Sequence, residues 1–155
     1  MINNLPARKP AKLSRQLLAI VLGSISAIVA NVVYYFILKD FVGIEFIAPE
    51  ESPPPEVSPL PATDVVIFSI IFSAGASILF LILASTVRRP ALIFVTISLV
   101  VLVLSLFLPL FMPTPPIPLS TELSLASMHI LGAAVLVPVL AMIGLPINTM
   151  NSEEV

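Results

Sequence analysis

Four long apolar runs constrain this chain more than any other feature of its sequence. None of them contains Asp, Glu, Lys or Arg, and they span residues 17–38, 65–87, 91–112 and 123–145. At about 1.5 Å of rise per residue, a helix over each run reaches roughly 33 Å and crosses a hydrocarbon core of about 30 Å. The runs lack the alternation of membrane β-strands, and lipid leaves unpaired backbone groups unsatisfied. We therefore predict an all-α integral membrane bundle of four transmembrane helices.

The composition agrees with that class. Hydrophobic residues make up 58% of the 155 residues and charged residues only 10%, whereas about a quarter of a soluble domain is charged. We expect a single membrane domain, 1–155, whose one extended hydrophilic segment is the loop 39–64. The net charge of −2 gives no reason to expect nucleic acid. Cysteine is absent, which excludes disulfides and thiolate chemistry, and we predict no cofactor.

The basic residues predict the orientation of the helices. All but Lys39 lie before the first run or between the second and third, at Arg8, Lys9, Lys12, Arg15, Arg88 and Arg89. The positive-inside rule then puts both termini in the cytoplasm (N-in/C-in) and the loop 39–64 outside. The first run is longer than the roughly 7–15 apolar residues of a signal peptide. We therefore expect it to be a retained helix.

The outer loop, 39–64, allows two interpretations. Its prolines 53–55 favour stiff polyproline II geometry, and its apolar start, from Phe41 to Ile47, is suited to the membrane surface. A solvated linker with an interfacial anchor is the simpler interpretation. The alternative is a segment that covers a ligand or binds a partner.

Intramembrane polar residues are the first place to look for function. Asn31, Ser73, Ser105 and His129 come from the four different runs, and the helical rise places all four roughly 9–12 Å below the outer face. We predict that they converge inside the bundle, with small residues beside them and the third helix most exposed to lipid. Tyr34 and Tyr35 complete this candidate polar layer, which consists of Asn31, Tyr34, Tyr35, Ser73, Ser105 and His129.

His129 has three possible roles. It can form a structural hydrogen bond to Asn31, Tyr34 or Tyr35, it can transfer a proton or bind a ligand, or it can bind a metal. A single histidine without an intramembrane carboxylate makes a poor metal site. A Ser-His hydrolase needs a third, orienting group, which the runs do not offer. We therefore predict no catalytic, cofactor-binding or metal-binding residues, and no enzyme activity.

Several short motifs carry a family resemblance by their order and spacing. They are Asn31 with Tyr34-Tyr35, Pro59-Leu60-Pro61, Ser73-Ala74-Gly75-Ala76, Arg89-Pro90 with Phe94, Leu104-Ser105 with Pro109, Thr121-Glu122-Leu123, and the run from Met128 to Ala134. Over about residues 15–145 the chain resembles an uncharacterised family of bacterial four-helix membrane proteins, domain of unknown function 6069. The resemblance implies the four-helix fold and a bacterial source, and it implies no activity.

The leading expectation is therefore a non-enzymatic structural or accessory component of a bacterial cytoplasmic membrane. Its partners would be the lipid bilayer and other membrane subunits or a second copy. One alternative is a protein that binds or transports a small solute or lipid at the outer polar layer, with the loop as cover. Another is an intramembrane enzyme that uses His129 as acid or base. We also expect Ser120 or Thr121 to cap the fourth helix.

Overall fold

The computed structural model describes residues 13–50, 56–87, 89–111 and 117–144. It contains four long helices, α1 (Leu13–Phe36), α2 (Ala62–Thr86), α3 (Pro90–Phe111) and α4 (Leu119–Gly144). The prediction of four apolar helices is confirmed, and each is long and apolar enough to cross a membrane. Several predicted features lie outside the described residues: the basic residues 8, 9, 12 and 88, the prolines 53–55, and the helix ends at 112 and 145.

The helix boundaries follow local chemistry. A π-helical segment, Ile37–Val42, continues α1 and ends at Gly43, whose φ of 78° lies in the left-handed region that glycine adopts without strain. α3 begins at Pro90, where the missing N–H of proline costs nothing. The expectation that Ser120 or Thr121 caps α4 is wrong, because α4 already begins at Leu119 and the Thr121 N–H bonds to the Pro118 carbonyl at 2.9 Å.

The segment between α1 and α2 forms a β-hairpin, so the expectation of a solvated linker is wrong for its described part. Strands β1 (Ile47–Glu50) and β2 (Glu56–Pro59) pair antiparallel, with Ile47 opposite Pro59. Two side chains of the bundle hold the hairpin down. Tyr35 donates its hydroxyl hydrogen to the Leu60 carbonyl at 2.8 Å, and Thr121 donates to the Glu45 carbonyl at 2.7 Å. We call this the hairpin end of the bundle.

The most extensive helix packing joins α1 to α4, and we call this contact the α1–α4 seam. Ala19, Gly23 and Ala27 are buried along α1 at intervals of four residues, so they share one face of the helix. Small side chains let two helix backbones approach closely, which stabilises helix association in membranes. A Cβ atom added to Gly23 would lie 3.1 Å from Leu136 Cδ1, which shows how little space remains.

Two clusters of buried side chains hold the bundle together. The first surrounds Phe80 and includes Phe94 and Leu140, which are fully buried. The second lies at the hairpin end, where the rings of Tyr35 and Phe46 are 4.7 Å apart and pack with Val65 and Met128. α3 has the smallest buried share of the four helices, in agreement with the expected lipid exposure.

The charges are divided between the two ends of the bundle. Arg15 and Arg89 lie at the end opposite the hairpin, and Arg15 donates a hydrogen bond from Nε to the Ile143 carbonyl in the last turn of α4. This bond satisfies a carbonyl that the helix itself leaves free. The acidic residues of the described chain lie at the hairpin end, at Asp40, Glu45, Glu50, Glu56, Asp64 and Glu122.

Candidate ligand cavity

A cavity of about 880 Å³ opens between α2, α3 and α4. Its walls come from α2 between Val65 and Leu79, from α3 between Ser98 and Ser105, and from α4 between Glu122 and Val137. Asn31 and Ala27 of α1 also line it, and the hairpin-end residues Ile47, Ala48, Leu60 and Ile117 extend its lining. The volume falls within the range of about 300–1,000 Å³ of ligand pockets. Most of the lining side chains are apolar.

The cavity opens beside a region in which α2 and α3 pack together, near the ends of the two helices that follow each other in the chain. There the rings of Phe80 and Phe94 pack edge to face, with centroids 5.6 Å apart. Toward the hairpin end, α3 presents Ser98, Val101 and Leu102 to the open space. The serines of α2 are buried at four-residue spacing, at Ser69, Ser73 and Ser77, and Ser77 donates to the Ser73 carbonyl at 2.7 Å.

Asn31 lies in the wall of the cavity with half of its amide unsatisfied. Its Nδ2 donates to the Ser69 hydroxyl at 3.1 Å, while its buried Oδ1 has no hydrogen-bond partner among the described residues. Gly132 leaves room for this amide, because a Cβ there would lie 3.1 Å from Asn31 Nδ2. A buried acceptor without a partner costs about 1–3 kcal/mol. Asn31 Oδ1 is therefore an unsatisfied acceptor enclosed within the wall of the cavity.

His129 lies one turn before Gly132 on α4 and also lines the cavity. Its Nδ1 is 2.8 Å from the Leu125 carbonyl oxygen. Because a carbonyl only accepts, Nδ1 carries the hydrogen, and Nε2 of the neutral ring is then an acceptor. The ring packs edge to face on Phe72, with centroids 5.5 Å apart. The expected bond of His129 to Asn31, Tyr34 or Tyr35 is therefore wrong.

The structure divides the candidate polar layer into two groups. Asn31, Ser73, Ser105 and His129 all line the cavity, and Ser105 donates to the Leu102 carbonyl at 2.7 Å. The two tyrosines do not line it. Tyr35 binds the Leu60 carbonyl, and Tyr34 lies 3.0 Å from Ser127 Oγ. Ser127 already donates its hydrogen to Ser124 at 2.7 Å, so Tyr34 is the donor. The functional role of the layer stays a prediction.

Sequence reasoning missed Glu122 as a cavity residue. Glu122 lies in the first turn of α4, where an acidic residue also suits the helix dipole. The structure places it in the cavity wall, half-buried, with no ion pair or side-chain hydrogen bond to any described residue. Among the described residues that line the cavity, it is the one charged side chain. The sequence did contain a signal for this placement. Glu122 precedes His129 by seven residues, or two helical turns, so the two side chains share one face of the helix.

The described residues hold no group of three His, Asp or Glu side chains that could bind a metal ion. His129 contacts a backbone carbonyl and a phenyl ring rather than a carboxylate. The polar groups of the cavity are thus a few hydrogen-bonding groups within a largely apolar wall.

Four packed apolar helices with a side cavity define a compact helical bundle of membrane-spanning dimensions. The chain belongs to DUF6069, a family of unknown function whose model matches residues 11–143. No curated protein and no solved structure matches the chain.

Proposed function

We propose that this protein is a non-enzymatic, four-pass protein of a bacterial cytoplasmic membrane that holds a lipid-like amphiphile in its side cavity. The observation that carries the proposal is the cavity of about 880 Å³, with an apolar wall interrupted by a few polar groups. Such a mixture of many apolar and few polar groups is typical of small-molecule sites.

The position of the cavity suits a ligand that arrives through the bilayer. Its walls are parts of three helices that are each long enough to cross a membrane. Large apolar side chains of α2 and α3 are exposed both in the cavity wall, such as Phe72 and Val101, and outside it, such as Ile70 and Leu104. Lipid chains can therefore approach the cavity from the side without crossing a polar surface.

The distribution of charge supports an orientation with both termini in the cytoplasm. Arg15 and Arg89 lie at one end of the bundle, and the carboxylates of Glu45, Asp64 and Glu122 lie at the hairpin end. Basic residues are retained on the cytoplasmic side of bacterial membranes. The hairpin and the polar part of the cavity then lie toward the outer face.

The surroundings of His129 support a binding role over catalysis. A general acid or base acts most effectively beside a second titratable or orienting group within about 3.2 Å. His129 instead contacts the Leu125 carbonyl and Phe72. Glu122 lies two turns away, roughly 10 Å along the same helix.

A structural or accessory role remains the second candidate function. The observation that favours it is the α1–α4 seam, where the small residues Ala19 and Gly23 pack closely against their neighbours and line no described cavity. In that role the cavity would be filled by another membrane subunit or by a second copy.

Filling the cavity tests the proposal directly. Gly75 lines the cavity and has open space where a Cβ would stand, so Gly75→Leu occupies part of its volume. Ala74→Leu adds the same side chain at the neighbouring exposed position, which does not line the cavity. Wild-type and both variants are released from membranes in polymer nanodiscs, and the bound lipids are analysed by native mass spectrometry.

We expect wild-type and Ala74→Leu to retain one amphiphile through gel filtration and Gly75→Leu to lose it. Equal retention in all three proteins, or none in any, contradicts the binding proposal. A stable oligomer in wild-type that Gly75→Leu separates into monomers would instead assign the cavity to a second copy.

A further inference from the structure

The polar groups of the cavity restrict the head group that a ligand can carry. Asn31 Oδ1 is a buried acceptor without a partner among the described residues. His129 Nε2 is an acceptor as well, because Nδ1 donates to Leu125. Glu122 adds a carboxylate, which only accepts when ionised. His129 and Glu122 therefore present two acceptors to a ligand, whereas Asn31 Oδ1 is an unsatisfied acceptor enclosed behind the cavity surface.

The described lining of the cavity carries one charged side chain, and its charge is negative. Glu122 is half-buried there and forms no ion pair with any described residue. The lining contains neither Lys nor Arg, so no described side chain in it can neutralise an anionic head group. Half-buried carboxylates are favourable where a cation or several donors reach them.

Nearby cations do not supply that partner. Lys39 lies over the ring of Tyr35, with its Nζ 5.6 Å from the ring centroid. Arg15 and Arg89 lie at the opposite end of the bundle, and Arg15 bonds to the Ile143 carbonyl there. The Glu122 carboxylate therefore lies at the hairpin end of an apolar cavity without a cationic partner among the described residues.

From this geometry we infer that the cavity takes an amine-headed amphiphile, whose ammonium group pairs with Glu122 while its chain lies along α2 and α3. The inference rests on the proposed binding function and adds the chemical class of the ligand. His129 lies deeper along the cavity, where its Nε2 accepts a hydrogen bond from a hydroxyl or amide N–H group near the head. Anionic amphiphiles, such as fatty acids, are disfavoured because Glu122 repels them.

Competition between amphiphiles that differ only in their head groups tests this inference. A photoactivatable dodecanol labels the purified protein in phosphatidylcholine nanodiscs, and mass spectrometry quantifies the adducts on α2 and α4. Dodecylamine, dodecanol and dodecanoate are the competitors. We expect dodecylamine to compete about tenfold more strongly than dodecanol, because a charge-assisted bond replaces a neutral one. Dodecanoate should compete least.

Variants of Glu122 identify the responsible group. Glu122→Gln keeps the size and removes the charge, so the advantage of dodecylamine over dodecanol should fall to about onefold. Glu122→Lys should reverse the order and favour dodecanoate. Glu45→Gln is the matched control, because it makes the same change on an exposed side chain at the same end and leaves its backbone carbonyl in place. It should retain the preference for dodecylamine.

The outcomes separate this inference from the proposed function. Equal competition by the three amphiphiles, or a preference that survives Glu122→Gln, contradicts an amine-specific head-group site and leaves chain binding standing. Labelling that no competitor reduces contradicts the proposed function itself. If Glu122→Gln does not fold, Glu122→Lys and the wild-type competition order still decide the inference.

Discussion

The α1–α4 seam and the cavity between α2 and α3 are built from the same kinds of residue, yet one is closed and the other open. At the seam, small residues at four-residue spacing face α4, and Gly23 and Gly144 leave no free space beside them. At the cavity, Gly75 has nothing within 4 Å of the position of a Cβ. A small residue therefore brings helices together only where the partner helix lies close enough to use the space.

The difference matters because lipid chains are as apolar as the side chains of these helices. Burying apolar surface between helices gains little over leaving it in lipid, so close packing and hydrogen bonds decide which helices associate. The seam provides both, through its small residues and through Tyr34 and Ser127. Along the wall of the cavity, α2 and α3 are separated by open space, whereas Phe80 and Phe94 pack edge to face farther from the hairpin. The open space is thus available to a ligand.

The largest effect that distinguishes the two regions is expected from two phenylalanines of α2. Phe80 is fully buried and packs against Phe94, whereas Phe72 lines the cavity and is 49% exposed. We expect Phe80→Ala to lower the free energy of unfolding by about 3 kcal/mol, through lost contacts and an empty space. Phe72→Ala should cost about 1 kcal/mol or less, in line with exposed positions. Unfolding in a titration with dodecyl sulfate, followed by circular dichroism, gives both values.

A cost for Phe72→Ala as large as that for Phe80→Ala would show that the cavity wall is packed as tightly as the rest of the bundle. The contrast between the two regions would then not hold. The two variants make the same chemical change on one helix, so intrinsic helix propensity cancels in their difference.

An intermediate effect is expected from two glycines. A methyl group on Gly144 would overlap the buried ring of Phe80 and lie 3.2 Å from Ala19 Cβ. Gly144→Ala should therefore destabilise the protein by about 1–3 kcal/mol, as overpacking does. Gly75→Ala meets open space and should be neutral or stabilise by up to about 1 kcal/mol, since alanine favours helix. Thermal unfolding in nanodiscs measures both changes, and the same sign for both would contradict the comparison.

The smallest effect is expected from the hydrogen bond that attaches the hairpin to α1. Tyr35→Phe removes the bond to the Leu60 carbonyl, which should cost about 1 kcal/mol and raise amide exchange in the hairpin about fivefold. Tyr34→Phe is the matched control, because Tyr34 binds Ser127 of α4 and makes no bond to the hairpin. Hydrogen–deuterium exchange of residues 44–60 measures the difference. Identical exchange in both variants would mean that Tyr35 does not hold the hairpin down.

Some features of the candidate site could be predicted from the sequence, and others could not. Counting residues along each run gave Asn31, Ser73, Ser105 and His129 a common depth, and these four line one cavity. The depth of a residue in the membrane depends only on the helical rise and its position along the run, so it can be calculated from the sequence. The partner of each polar group depends on helix rotation and distance. His129 consequently bonds to its own helix, and Tyr35 to the hairpin, rather than to each other.

The four helices themselves were determined by the sequence alone, because continuous apolar runs leave the backbone no other way to satisfy its hydrogen bonds in lipid. Only the tertiary structure revealed the hairpin, because the residues of its two strands show no repeating pattern of apolar and polar residues that predicts strands. It also decided the cavity, which depends on the space left between α2, α3 and α4 beside the packed rings of Phe80 and Phe94. Hydropathy is a property of each segment, whereas the space between segments depends on how all of them pack together.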